Sequence, residues 1–393
     1  MLFEILLWIS ISAIIYTYII YPFILIFFSS LFQVKSDINC LLQNTERRID
    51  YLENNFPEVA IIVAAYNEEG VIEKRINNLI NQTYPSDKLN IYIGSDGSTD
   101  STADIISKFT DQRIKKFIFQ ENRGKISVLN DLIQSTGHEE ILVLSDANTY
   151  FNNDVVEKLV RHFEDNHVGA VCGELHLIDS ESRSNKDSLY WKYERILKYF
   201  EARIGALLGA NGANYAIRKD LYKPLPINTI VDDFTIVMDI AINGNCVKYD
   251  PEAIAIEEIA PDIASEFGRR VRIGIGNYQA LKRYFSFLLP KASTLYFSYI
   301  SHKIMRWLVP HFMLTALIIN LLLIDQSFYY YTFILQLIFY TGCGLIYFLK
   351  NYVKVPGVML IPVFLVSMNI ALGVGFIKYI TGNYKGNWKR TER

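Results

Sequence analysis

The sequence contains few residues that would cross-link a fold or bind a metal through sulfur. Its four cysteines, Cys40, Cys172, Cys246 and Cys343, are far apart, and no CxxC or Cys/His spacing occurs. A structural zinc site and a disulfide framework are therefore not expected, and a reducing compartment suits these thiols. The chain has 39 basic and 41 acidic residues, so it lacks the basic excess that nucleic-acid binding usually requires.

The common nucleotide-binding loops are also missing. Neither GxxxxGK[ST] nor GxGxxG follows a predicted strand, and the pair Gly274 and Gly276 lacks the third glycine of the dinucleotide motif. No Ser-His or Cys-His nucleophile arrangement is evident. These absences argue against a P-loop enzyme, a Rossmann dehydrogenase and covalent catalysis through a serine or cysteine.

Long apolar runs, in contrast, are abundant. Residues 2–32 are almost unbroken, with Glu4 as the only charge, and are long enough to cross a hydrocarbon layer of roughly 30 Å. No basic residue precedes the run and no small-x-small site ends it, which favours a retained anchor over a secretory signal. Lys35, Arg47 and Arg48 follow it. The positive-inside rule therefore predicts that the next domain is cytoplasmic. We expect an integral protein of the plasma (inner) membrane.

Three further apolar blocks lie near the C-terminus, at residues 304–324, 328–349 and 356–379. Only residues 325–327 separate the first two blocks, which predicts a helical hairpin. The third block contains prolines and glycines and has basic residues on both sides. It is therefore predicted to span the membrane, to re-enter it or to lie in the interface, since backbone breaks are tolerated where protein covers them.

A water-soluble domain of the α/β class is predicted between these regions. Continuous apolar strands at 59–65, 89–94, 114–119 and 141–144 alternate with amphipathic helices, which is typical of a mostly parallel sheet with helices on both faces. The predicted organisation is an anchor at 1–32, a linker at 33–57, the α/β domain at 58–265, an interfacial amphipathic segment at 266–300, and C-terminal membrane helices with a basic tail at 301–393.

Polar residues stand where these strands end. They form the runs Ala65–Glu68, Ser95–Asp100 and Ser145–Asn148, and the loop Asn122–Lys125 precedes a predicted helix. Each run alone is explained by helix caps and turns. Together they predict a ligand site, because the carboxyl ends of parallel strands meet at one edge of a sheet. A carboxylate-held divalent cation beside a lysine is what a diphosphate leaving group requires.

The ordered set of motifs resembles the family 2 glycosyltransferases, and most of all the cellulose-synthase-like and hyaluronan-synthase-like membrane enzymes. The resemblance implies a GT-A-like (Rossmann-related) fold and a nucleotide-sugar donor, with a saccharide or lipid-linked acceptor at the bilayer. The motifs are Tyr66-Asn67-Glu68, Ser95–Asp100, Gly124-Lys125, Ser145–Asn148, Gly209–Asn214 leading into Arg218, Val231–Phe234, Arg269–Arg272 and the tail Trp388–Arg393.

The same resemblance implies roles for individual residues. The residues implied to bind the uridine-diphosphate sugar are Ala65, Tyr66, Asn67, Glu68, Asp96, Gly97, Ser98, Lys125 and Asp146. Those implied to contact the acceptor or the diphosphate are Asn211, Gly212, Arg269 and Arg272. Asp146 and Asn148 are implied to hold Mg²⁺ or Mn²⁺, although Asn148 stands where the family often has a second acid and brings no charge.

The family's catalytic base corresponds to Asp233, with Asp232 beside it. Repulsion between adjacent carboxylates can raise one pKa towards the range in which a carboxylate takes a proton from a hydroxyl. One base and no enzyme nucleophile imply a single displacement with inversion. The alternative explanation of this pair is a surface loop that caps a helix beginning near Phe234.

The segment after the α/β domain departs from the family pattern. Processive members have Gln-x-x-Arg-Trp, but here Arg269 replaces the glutamine and Ile273 replaces the tryptophan. Three hypotheses follow: extension of a cell-surface polysaccharide, addition of one sugar to a lipid-linked acceptor, or a non-catalytic scaffold that binds nucleotide-sugars. The basic segment is also typical of an interfacial helix on anionic lipid. The sequence identifies no protein partner.

Overall fold

The computed structural model describes residues 1–43, 56–179, 189–259, 263–349, 352–353 and 355–384. Two compact units are present, one formed by Met1–Phe27 with Asp262–Tyr384 and the other by the described part of Phe28–Pro261. The tail motif at 388–393 and the predicted orientation signals Arg47 and Arg48 lie outside the described residues.

Helices and strands alternate in the middle of the chain. Towards both ends, the described residues form helices and no strands. The helices are α1 (Leu2–Ile15), α2 (Tyr21–Gln43), α3 (Ile72–Ile80), α4 (Thr102–Lys108), α5 (Lys125–Gln134), α6 (Val155–Val160), α7 (Leu189–Arg203), α8 (Asp232–Ile242), α9 (Ile263–Arg283), α10 (Thr294–Ser298), α11 (Met305–Leu322), α12 (Ser327–Leu349) and α13 (Gly357–Thr381). The strands are β1 (Val59–Ala65), β2 (Leu89–Asp96), β3 (Ile114–Phe119), β4 (Ile141–Asp146), β5 (Thr149–Phe151), β6 (Val168–Asp179), β7 (Tyr215–Arg218) and β8 (Cys246–Ile259).

One eight-stranded sheet carries the second unit, in the order β3-β2-β1-β4-β7-β6-β8-β5. The first half is parallel: β1 pairs with β2 and β4, and β2 pairs with β3. All seven residues of β1 are buried, as expected for a parallel strand covered on both faces. The predicted α/β class is thus confirmed, and the four predicted strands correspond to β1–β4.

The second half of the sheet is mixed. β7 is antiparallel to β4 and β6, β8 is parallel to β6, and β5 is antiparallel to β8. Apolar side chains of α3 and α6 cover one face, while α5 packs on β1 and β2. Because β1, β2 and β4 are parallel, their carboxyl ends lie along one edge of the sheet.

The first unit is built from helices, most of which are apolar. Four helical segments are long and apolar enough to cross a membrane, judged by length and composition: Leu2–Gln43, Thr294–Leu322, Ser327–Leu349 and Gly357–Thr381. The predicted hairpin corresponds to α11 and α12, and the third apolar block is one continuous helix although it contains Pro362. In the predicted interfacial segment, α9 packs on α13, where Gly274 and Gly375 allow a close approach of the two backbones.

Gly97 provides a test of the loop that follows β2. Its φ is 61°, and a Cβ atom there would lie 2.4 Å from the carbonyl carbon of Glu121. We expect Gly97→Ala to destabilise the protein by about 2 kcal/mol or more, because the change adds backbone strain and a clash with main-chain atoms. Thermal unfolding should show a midpoint several degrees lower.

The matched control is Gly70→Ala, since a Cβ at Gly70 would meet no atom within 4 Å. It should leave the unfolding midpoint unchanged. Equal midpoints for the two variants would contradict this description of the loop.

Candidate active site

The loops after β1 and β2 bind each other directly. The backbone N–H of Asn67 donates to Ser98 Oγ at 3.2 Å, and the N–H of Thr99 donates to Asn67 Oδ1 at 2.8 Å. Asn67 has φ 53°, a left-handed conformation that asparagine tolerates better than most residues. The buried Glu68 donates its backbone N–H to Thr102 Oγ1. The predicted nucleotide residues Ala65, Tyr66, Asn67, Glu68, Gly97 and Ser98 therefore belong to one cluster of loops.

Asp96 connects this cluster to the start of α5. Its side chain is fully buried, and its two oxygens accept the backbone N–H groups of Arg123 and Gly124, each at 2.9 Å. A carboxylate at a helix N-terminus is favourable, because unpaired N–H groups and the helix dipole both attract negative charge. Asp96 thus places Lys125, the first residue of α5. The contact of Asp96 with a nucleotide base remains a prediction.

Lys125 joins two of the predicted acidic residues. Its Nζ lies 2.9 Å from Asp146 Oδ1 and 3.1 Å from Asp232 Oδ2. Burial by itself lowers the pKa of Lys125, but the charges of Asp146 and Asp232 outweigh it and the pKa is raised. Lys125 is therefore a fixed positive charge at the carboxyl end of β4. Asp146 and Asp232 are brought together although 86 positions separate them in the sequence.

Asp233 lies in the first turn of α8. Burial, followed by the negative charge of Asp232, raises the pKa of Asp233 to about 6, against the opposing effects of the Phe234 N–H and Lys125. A carboxylate with this pKa is ionised at neutral pH and still a useful proton acceptor. The helix begins at Asp232 rather than near Phe234. Asp232 contacts Lys125, and the charge of Lys125 acts on Asp233, so both carboxylates are coupled to this lysine. The catalytic role of the pair remains a prediction.

The segment around Asn211 forms the wall beside Asp233. A Cβ on Gly212 would lie 3.4 Å from Asp233 Oδ2, so the backbone of Gly212 is in close contact with this carboxylate. Asn211 donates from its side chain to the Gly173 carbonyl and accepts from Lys198. Gly212 therefore lies beside Asp233, with Asn211 next to it in the chain, and their role at the acceptor remains a prediction.

Two basic residues near the crevice were not predicted. Lys198, on α7, contacts Asn211 and exerts its charge on Asp233. Arg75, on α3, is fully buried and donates to Ser145 Oγ at 2.7 Å, directly before Asp146. Burial lowers the pKa of Arg75 to about 9 against the charges of Tyr150 and Asp146. The one signal in the sequence for Arg75 was its place within the apolar stripe of α3.

The residues predicted to hold a cation lie at the turn between β4 and β5. Asp146 supplies a carboxylate, and the side chain of Asn148 donates from Nδ2 to Glu257 Oε1 at 2.8 Å. Among the described residues no three His, Cys, Asp or Glu side chains converge to hold an ion. Two oxygen donors nevertheless fit Mg²⁺ or Mn²⁺ on a diphosphate, because such ions commonly take one or two protein ligands and complete their coordination with phosphate and water.

Arg269 and Arg272 lie on α9, which belongs to the unit formed by Met1–Phe27 with Asp262–Tyr384. Ile273, where processive enzymes have tryptophan, is 39% exposed. The roles of Arg269 and Arg272 at the acceptor or the diphosphate remain predictions.

Comparison with known proteins identifies similar sequences and a similar fold. Residues 60–223 match the family model of glycosyl transferase family 2. A poly-beta-1,6-N-acetyl-D-glucosamine synthase of Staphylococcus aureus (strain MSSA476) is 27% identical over 274 residues, 64% of this chain and 64% of that protein. The synthase of the same name from Staphylococcus epidermidis is 26% identical over 292 residues, 70% of this chain and 68% of that protein. The match thus spans just under two thirds of the S. aureus relative's length.

A solved structure shows the same fold. It is a mannosyltransferase from Pyrobaculum calidifontis in complex with GDP-Man and Mn²⁺, with a TM-score of 0.71 at 19% identity, covering 96% of this chain and 100% of that chain. The predicted GT-A-like fold is confirmed. The family match contains the loops that carry Asn67, Asp96, Lys125 and Asp146. Residues 60–223 are therefore similar to the family 2 glycosyltransferase domain.

Proposed function

We propose that this protein is a membrane-embedded, inverting glycosyltransferase that moves a sugar from a nucleotide-sugar onto a growing cell-surface polysaccharide. The observation that carries the proposal is the contact of Lys125 with Asp146 and Asp232, directly beside Asp233. A fixed cation and a site for a divalent ion are what a diphosphate leaving group needs, and Asp233 is a proton acceptor next to them.

The donor in this proposal is a uridine-diphosphate sugar, held by the loops of Asn67 and Asp96. The relatives are synthases of an N-acetylglucosamine polymer, which makes UDP-N-acetylglucosamine the first donor to test. The apolar helices would hold the protein in the membrane, with the α/β domain on the cytoplasmic side, as the basic residues after the first apolar run predict.

The mechanism is a single displacement. Asp233 takes the proton of the acceptor hydroxyl while that oxygen attacks the anomeric carbon, so the configuration inverts. Lys125 stabilises the negative charge that develops on the departing diphosphate. Asp146 and Asn148 would hold a divalent cation, which would supply further positive charge to the diphosphate. Asp232 keeps Lys125 in place and, through its own charge, raises the pKa of Asp233.

A second function has one observation in its favour. Ile273 and Arg269 stand where processive enzymes have an aromatic residue and a glutamine, so the surface on which a sugar ring would stack is missing at this position. This departure favours the addition of one sugar to a lipid-linked acceptor. The polymer-forming relatives favour repeated addition, and we take that as the main proposal.

Asp233→Asn tests the proton acceptor. The amide cannot take a proton, so we expect transfer to fall by at least about a hundredfold, while the affinity for the nucleoside diphosphate stays within about threefold. Radiolabelled-sugar transfer and titration calorimetry measure the two quantities. Asp239→Asn, six residues further along α8, is the matched control and should behave as wild type. Near-normal turnover of Asp233→Asn would refute the assignment.

The pH dependence of transfer tests the electrostatics of the pair. Below the pKa of about 6 Asp233 is protonated and cannot accept a proton, so kcat/KM should rise with pH through this range and then level off. Asp232→Asn removes a charge that raises this pKa, and the rising limb should move to lower pH. An unchanged limb in the variant would show that another group controls it.

A donor panel tests the substrate class. Membranes that contain the protein, incubated with UDP-N-acetylglucosamine and Mg²⁺ or Mn²⁺, should release UDP and lengthen the acceptor by several sugars. Chelation with EDTA should stop the reaction, and excess metal should restore it. Release of nucleoside diphosphate from GDP-mannose alone would reject the uridine donor. A product one sugar longer under excess donor would establish the second function in place of the first.

A further inference from the structure

An amide–carboxylate pair lies at the edge of the proposed cation site. Asn148 occupies the turn between β4 and β5, two residues after Asp146, and is only 7% exposed. β5 is antiparallel to β8, with Thr149 opposite Glu257. This pairing brings Glu257 to Asn148, and Asn148 Nδ2 donates to Glu257 Oε1 at 2.8 Å.

The chemistry of the pair determines which way the amide faces. An ionised carboxylate only accepts hydrogen bonds, so the –NH₂ group of Asn148 must face Glu257. The carbonyl oxygen Oδ1 then points away from Glu257, and within the described ranges it accepts no hydrogen bond. Without Glu257 the amide could turn over and present its two N–H groups to a cation, which would repel it.

We propose that Glu257 is a positioning residue that orients the amide of Asn148 so that its oxygen binds the divalent cation together with Asp146. The inference rests on the proposed function, because it concerns the cation of that site. Hydrogen-bonded partners of this kind orient metal ligands, and their loss typically weakens metal affinity by about 10- to 100-fold.

Binding of Mn²⁺ to the full chain in detergent, with UDP present, tests the inference without any turnover. The electron paramagnetic resonance signal of free Mn²⁺ gives the dissociation constant. We expect Glu257→Met to raise this constant about tenfold or more. Glu258→Met is the matched control, because neighbouring strand residues face opposite sides of the sheet, and it should bind Mn²⁺ as wild type does. Thermal unfolding shows whether each variant is folded.

A double-mutant cycle separates positioning from a merely structural effect. Glu257 acts through Asn148, so Glu257→Met should weaken Mn²⁺ binding no further once Asn148→Ala is present. If Glu257→Met does not fold, Glu257→Gln takes its place. Glutamine keeps an oxygen that can accept from Asn148 but also offers N–H groups, so binding should weaken by a smaller factor.

The outcomes distinguish this inference from the proposed function. Asp146→Asn should abolish Mn²⁺ binding, and retained binding in that variant would reject the proposed cation site itself. If Asp146→Asn loses Mn²⁺ while both Glu257 variants stay within twofold of wild type, the role of Glu257 alone is rejected. Additive effects of Glu257→Met and Asn148→Ala would reject it as well.

Discussion

The contact of one lysine with two aspartates organises the catalytic crevice. Lys125 begins α5, Asp146 ends β4 and Asp232 begins α8, so three separate chain segments meet at a single ammonium group. Without that charge, the neighbouring carboxylates would repel one another in a partly buried environment, where such repulsion is screened little. In the proposed mechanism the same arrangement supplies a positive charge for the leaving group beside a carboxylate that accepts a proton.

The surroundings of Lys125 hold this contact in place through the backbone. Asp96 fixes the start of α5 by accepting two backbone N–H groups. On the other side, buried Arg75 donates to Ser145 Oγ, and Ser145 Oγ donates to the carbonyl of Ala213, next to the glycine that contacts Asp233. A chain of buried hydrogen bonds therefore runs under the crevice. Sites built in this way on rigid strands and helices keep their geometry better than sites on free loops.

The fold alone does not identify the reaction. Related α/β architectures serve many chemistries, and the function has to be argued from the groups at the strand ends. Here the parallel half of the sheet presents the loops proposed to bind the nucleotide and the cation. The mixed half brings in Asn211 and Gly212 and, through β8, Glu257. The two halves thus contribute different parts of the site. The membrane-type helices form a unit of their own. In this unit α9, which carries Arg272, packs closely on α13.

The sequence by itself determined the parts that depend on local pattern. The strands β1–β4, the four apolar helical segments and the positions of Asp146 and Asp233 follow from periodicity, from motif order and from residues adjacent in the chain. Only the tertiary structure decided which charges meet: the two partners of Lys125, the burial of Arg75, and the contact of Asn148 with Glu257 across 109 residues. The strand pairing in the mixed half of the sheet likewise could not be predicted, because its strands are far apart in the sequence. Such pairings depend on how the whole chain packs, and a local window of sequence does not determine them.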